Sequence, residues 1–283
     1  MQDNHRHLSG VILVVVSALV FSTAGVFTKG VTTAAWGVIF WRGLAAAGFT
    51  FGYMIYRGHL RREIALFGGP AVLVVVLSAL GTAAFIPAFK LTSIANVALI
   101  YASAPLFTAA LAWLFIRERA SRLVLVASLF AFVGVMVIVS GSLGSGRLIG
   151  DMLALWMTLM LAGIMVVYRR WPDTTAALPA AVSSLFLLPV AMLFGDPFAA
   201  PAHEMQVLIL FGLVFAVASV TLAEGARRLP SAETALLSSL EVPFAPLWAF
   251  LILSQLPGMP TIIGGTIVLL AVLGSQLLQL KPR

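Results

Sequence analysis

Hydrophobic positions along this chain come in long blocks. Runs of about twenty apolar residues lie at roughly 9–28, 34–56, 69–89, 93–116, 122–140, 148–168, 177–195, 206–226, 231–253 and 260–280, separated by short polar turns. At about 1.5 Å per residue, a run of this length coiled as a helix crosses a ~30 Å hydrocarbon core. The pattern predicts an all-α membrane protein with ten transmembrane helices and no water-soluble domain.

The blocks repeat. Residues 91–116, LTSIANVALIYASAPLFTAALAWLFI, match 229–253, LPSAETALLSSLEVPFAPLWAFLIL, at an offset of 138, with Leu91 over Leu229, Ser93 over Ser231, Leu99 over Leu237, Pro105 over Pro243 and Ser103 over Glu241. GVILVVVSALVFSTAGVFTK from Gly10 matches GDMLALWMTLMLAGIMVVYR from Gly150 at an offset of 140. The chain therefore divides into two units, 8–145 and 146–283, joined by the flexible GSLGSGR at 141–147. Five spans is an odd number, so the second unit enters from the opposite face and the repeats are inverted, an arrangement common in secondary transporters.

Composition agrees: 61% of residues are hydrophobic, 10% are charged and the mean hydropathy is +1.08. A net charge of +7 is compatible with nucleic-acid binding, but the basic residues are scattered over short loops and form no patch. With the N-terminus placed inside, 13 of the 17 basic residues fall on the inward side, among them Arg57, Arg61, Arg62, Arg169 and Arg170. Only Lys29, Lys90 and Arg147 fall outside, so both termini are expected in the cytoplasm of a multi-pass protein of the bacterial inner membrane. The first apolar run is too long for a cleaved signal. Cysteine is absent, which excludes a disulfide framework and thiolate metal sites, and His5, His7, His59 and His203 lack ligand spacing. No catalytic or phosphate-loop motif appears, so no cofactor, metal or enzymatic role is expected.

The candidate chemistry centres on Glu241, about ten residues into its span. A carboxylate there must face protein or a water-filled cavity, since exposing it to lipid costs at least ~2.5 kcal/mol. Thr234, Ser238 and Ala245 share its helix face, and Pro243 and Pro246 free upstream carbonyls within two turns. Neutral residues on inner helices add a softer set: Ser78, Thr82 and Phe85 at one helical spacing, Trp156 and Met160 at another, and Asn96, Tyr101 and Ser103 on the fourth span. Arg42, about eight residues inside the second span, is expected to snorkel toward the outer interface. Glu224 is expected to pair with Arg227 or Arg228 near the cytoplasmic end of its helix.

The Gly10-led first span, WRGLAAA around Arg42, the proline-bearing fourth span ending in IRER, the GDMLAL opening of the sixth and SLEVP in the ninth, in this order and with the inverted repeat, resemble the EamA family of the drug/metabolite transporter superfamily over essentially the whole chain. Two departures stand out: Gln255 in LSQLPG where the family usually has a glutamate, and Val242 between Glu241 and its proline. The resemblance implies ten helices around a central cavity between the halves, and export of small metabolites. Within the family the nearest branch is the aromatic amino acid exporter, of the YddG type. The amphipathic lining and single acid suit a small zwitterion with an apolar side chain, exported by alternating access. An exporter of cationic drugs or of other metabolites of the same superfamily is the alternative, and a membrane-embedded enzyme is the reading from another class, disfavoured because convergent acids, bases and metal ligands are missing. The expected partners are a small-molecule substrate and the lipid bilayer, with the chain a monomer or weak oligomer.

Overall fold

The structure is a computed structural model that describes residues 2–117, 122–226, 228, 237–238 and 240–280. Thr234 lies outside the described residues. Thirteen α-helices are described: α1 (Gln2–Phe21), α2 (Ala24–Lys29), α3 (Ala35–Tyr56), α4 (Leu60–Ala65), α5 (Gly69–Leu91), α6 (Ile94–Tyr101), α7 (Ala104–Ile116), α8 (Arg122–Ser140), α9 (Leu148–Arg170), α10 (Ala177–Phe194), α11 (Ala202–Ala226), α12 (Glu241–Leu253) and α13 (Met259–Leu280). Seven spans are long and apolar enough to cross a membrane, two of them built from the pairs α1/α2 and α6/α7, and three shorter apolar helices in α8, α12 and α13 bring the crossings to ten. The short α4 is an extra turn between the second and third.

The helices pair across the two halves in a pattern that maps onto itself when the halves are exchanged. α1 packs on α11 as α9 packs on α5, and α3 packs on α11 as α10 packs on α5. The pairs α3 with α10, α8 with α13 and α6 with α12 each map onto themselves. That exchange is the contact pattern a pseudo-two-fold relation between two five-span units would produce.

The α8–α13 pair shows why small residues are needed. A Cβ on Gly134 would lie 2.7 Å from the Gly264 carbonyl oxygen, so these backbones touch directly, as tightly packed membrane helices do without a hydrophobic driving force between them.

The repeat is also visible in helix endings, with a register that differs from the sequence match. Ser103 N–H donates to Ile100 O and Leu240 N–H to Leu237 O, each tightening a turn before the next helix begins. α7 and α12 then run 13 residues each and end on left-handed residues, Arg117 (φ 53°) and Ser254 (φ 52°). The turns, starts and ends therefore correspond at an offset of 137, not 138, and Glu241 corresponds to Ala104 rather than Ser103. Strings of small apolar residues align almost as well one step out of register, whereas a hydrogen-bonded helix end does not slide.

The eighth span begins four residues before its expected start, because α11 carries Glu204 within its first turn. That carboxylate is only 5% exposed, and its burial is compensated by the 32–33 turn. Two large apolar clusters fill much of the bundle, one around Val97, Ile100, Met157, Val242 and Val268, the other around Val38, Ile39, Ile86, Leu208 and Phe211, and a smaller third lies around Ala47, Met54, Leu178 and Ala181. Phe85 packs against both large clusters.

Candidate functional site at the kinked helices

Three spans bend, and their bends meet. In the first, Ser22 Oγ donates to Leu19 O (2.6 Å) and Thr23 Oγ1 to Val20 O (2.7 Å), back-bonds that bend a helix without proline. The fourth bends at Ser103, where Pro105 lacks an N–H and Ser103 Oγ donates to Ile100 O. The ninth bends at Leu240, ahead of Pro243 and Pro246. α12 packs on α6, α2 and α1, so the bends form one locus between the halves. Trp248 fixes it by donating from Nε1 to Ser22 Oγ at 2.9 Å.

Glu241 occupies the first turn of α12, not the middle of a continuous helix as its sequence position suggests. A carboxylate at a helix N-terminus is favoured by the unpaired N–H groups and dipole there. It is half-buried and makes no hydrogen bond or ion pair among the described residues. Tyr101, half-buried at the end of α6, lies within its electrostatic reach, and Phe244 stacks on Trp248 one turn further along α12. The locus offers one unengaged carboxylate, an aromatic wall and a phenol, a combination able to hold an ammonium group beside an apolar body.

The other expected site residues divide. Ser238 is half-buried, one turn before Glu241, and Ser78, Thr82 and Phe85 are half-buried on α5. Met160 packs against Gly81, whose added Cβ would come within 3.3 Å of its own. Trp156 is 45% exposed on the outer surface of α9, because its helix turns Ala154, Met157 and Thr158 inward instead. Ser103 is buried and spends its hydroxyl on its own helix.

Asn96 is not a free cavity residue either. Its Nδ2 donates toward Asp151 Oδ1 (3.0 Å) and Oδ2 (3.2 Å), Ser142 Oγ (3.3 Å) and Thr92 Oγ1 (3.4 Å), and its Oδ1 accepts from Thr261 Oγ1 at 2.6 Å. Thr92 Oγ1 also donates to Asp151 Oδ1 at 2.6 Å. This buried knot ties the fourth, sixth and tenth spans at the end of the bundle opposite the chain termini.

Other ties close the same end. Glu204 accepts from Thr32 N (2.6 Å), Thr32 Oγ1 (2.8 Å), Thr33 N (2.9 Å) and Thr33 Oγ1 (2.5 Å). Lys90 Nζ donates to Val31 O at 2.5 Å, and Trp41 Nε1 to Pro197 O at 2.8 Å. Gln255 Oε1 accepts from Ile94 N at 3.3 Å and caps α6, where an acid would also have met the helix dipole. No sequence pattern pointed to these pairings, Gln255 standing out only as a departure from the family pattern, because the partners lie more than fifty positions away.

At the end bearing the termini, a cavity of about 130 Å³ opens between α3, α10 and α11, with Thr50, Tyr53, Ser219 and Glu224 on its walls. Glu224 forms the expected pair with Arg228 at 3.4 Å and also accepts from Tyr53 OH at 3.2 Å.

Arg42 departs from expectation most sharply. It does not snorkel: it is 3% exposed, with its guanidinium carbon 4.6 Å from the Phe215 ring centroid, 5.3 Å from Phe211 and 5.9 Å from Phe85. Two contacts explain its inward course. Gly212 brings α11 so close that an added Cβ would sit 2.7 Å from Arg42 O, and Phe211 and Phe215 on either side of that glycine flank the side chain.

Compared with known proteins, the chain matches the family model described as the EamA-like transporter family twice, over residues 8–140 and 148–276. No curated protein matches it. Solved structures do, and one, described only as the crystal structure of a protein, superposes with a TM-score of 0.68 at 16% identity, covering 98% of this chain and 100% of the other. At that identity the likeness concerns the fold.

Proposed function

Since the chain belongs to the EamA-like transporter family, and so is a multi-pass, non-enzymatic secondary transporter of small metabolites, we propose that it exports aromatic or other apolar amino acids or closely related amphipathic solutes. The exporter branch of the YddG type is the corresponding place within the family. The observation that carries this reading is Glu241: a half-buried carboxylate without a partner among the described residues, where three bent helices meet an aromatic wall. An ammonium group neutralises the acid and an apolar side chain meets Tyr101, Phe244 and Trp248. A cationic drug would satisfy the acid as well, but leaves the deep arginine without a role.

The reading places the chain in a bacterial inner membrane with both termini cytoplasmic, supported by the asymmetry of its basic loops. The knots of Glu204 and Asn96 then close the periplasmic end, while the cavity beside Tyr53 opens toward the cytoplasm. Alternating access proceeds by rocking of the halves about the bent helices, releasing one end as the other closes. Monomers suffice, because the site lies within one chain.

Proteoliposome flux tests the reading. Wild-type protein is expected to move phenylalanine, and Glu241→Gln, at matched protein level and unchanged melting, to lose most of that flux. Equal flux by wild type and Glu241→Gln across pH removes Glu241 from the mechanism.

A further inference from the structure

Arg42 poses a problem of hydrogen bonding that its aromatic neighbours do not solve. The three phenylalanines offer π faces to the cation, which attract it electrostatically. The N–H groups of a guanidinium, however, point outward in its own plane, five donors in a fixed fork. Ring faces leave those edges unmet. Nε is buried without a partner, and among the described residues nothing accepts a hydrogen bond from this side chain and no carboxylate pairs with it. Because arginine stays charged at any accessible pH, it cannot escape by shedding its proton. A membrane-embedded charge is normally paired or faces a water-filled path.

We infer that the Arg42 guanidinium is the counter-charge for a substrate carboxylate, so that the transported solute is an amphipathic monocarboxylate held against Phe85, Phe211 and Phe215. This deepens the reading above and rests on it. A carboxylate is planar and accepts two parallel N–H bonds from the fork, the geometry that distinguishes arginine from lysine. Its apolar body meets the same rings that flank the guanidinium.

As the one cation of this nest among the described residues, Arg42 sets the charge class. Lys90 is bonded to Val31 O at the closed end, and Lys29 ends α2, so neither adds a second charge beside Arg42 to balance a phosphate or dicarboxylate. Phe85 packs against both large apolar clusters and so lies between the arginine nest and the Tyr101 side of the bundle, where Glu241 receives the amine. Access comes from the end bearing the termini. Ala46, one turn beyond Arg42, and Phe215 both line the cavity between α3, α10 and α11, so rotation of the Phe215 ring joins that cavity to the guanidinium.

The experiment uses the full chain in proteoliposomes, with phenylalanine as the transported probe, phenylacetate as a carboxylate lacking the amine and 2-phenylethylamine as an amine lacking the carboxylate. In wild type, phenylacetate is expected to compete with phenylalanine. In Arg42→Gln the apparent affinity for phenylalanine is expected to fall about tenfold or more and competition by phenylacetate to vanish, while competition by 2-phenylethylamine persists. Competition by phenylacetate in Arg42→Gln at the wild-type level overturns the inference and leaves the proposed function standing. Arg42→Lys keeps the buried charge but loses the planar fork, and gives the same reading if the glutamine variant does not fold. Wild type that moves no phenylalanine overturns the proposed function instead. The arginine is then read separately in detergent: phenylacetate raising the melting temperature of wild type but not of Arg42→Lys supports the anion site, and no such rise overturns it.

Discussion

Replacing Glu204 by glutamine separates a structural clasp from a transport residue. Its two carboxylate oxygens accept four hydrogen bonds within 2.9 Å, two from backbone N–H groups and two from hydroxyls of Thr32 and Thr33, and the side chain is 5% exposed. Hydrogen bonds to a charged group contribute about 1.5–3 kcal/mol each, and an orphaned buried donor costs about 1–3 kcal/mol. Glutamine keeps one acceptor oxygen but turns an NH₂ group toward the other pair of donors. The backbone N–H of that pair is left without an acceptor while its hydroxyl can turn to accept from the NH₂, and the other two bonds lose charge assistance, offset by easier burial of a neutral side chain. The net expectation is a destabilisation of about 2–3 kcal/mol. For a chain of this size that lowers the melting midpoint by roughly 5 °C or more, read from tryptophan fluorescence in detergent. Thr33→Val removes only one hydroxyl donor and is expected to cost about 1 kcal/mol. A Glu204→Gln midpoint within about 1 °C of wild type, or a Thr33→Val effect as large as that of Glu204→Gln, would refute the clasp.

Asn96→Ala removes the centre of the knot with Asp151 and Thr261 and is expected to cost about 3 kcal/mol in a thermal melt, lowering flux only in proportion to folded protein. A normal melt with abolished flux would instead make Asn96 a substrate contact. Gly264→Val is expected to force α8 and α13 apart, giving aggregated protein on size exclusion, because its Cβ would meet the backbone nitrogen of Ile138 at 3.0 Å; Gly274→Ala, with nothing within 4 Å, serves as the neutral control. Because the chain has no cysteine, Ser219→Cys supplies a single label on the cavity wall, expected to react with a membrane-impermeant thiol reagent from the side bearing the termini and to be slowed by phenylalanine.

Length and periodicity alone determine that the chain crosses a membrane ten times in two similar units, because hydrocarbon tolerates only helices about twenty residues long with their backbone bonds closed internally. The break near Glu241 is foreshadowed by Pro243 and Pro246, and the Glu224–Arg228 pair by four-residue spacing, since both are local effects. Tertiary structure decided what lies between helices. Asn96 and Ser103 look from their spacing like cavity residues, yet one is consumed largely by distant partners, Ser142 at 46 and Thr261 at 165 positions away among them, and the other by its own helix. Trp156 faces outward because the contacts of Ala154 and Met157 set the rotation of α9, which periodicity cannot orient in a helix apolar on every side. Arg42 was placed by depth at the interface and by packing in an aromatic nest: snorkelling needs a free path along the helix surface, and the backbone contact at Gly212 turns the side chain inward.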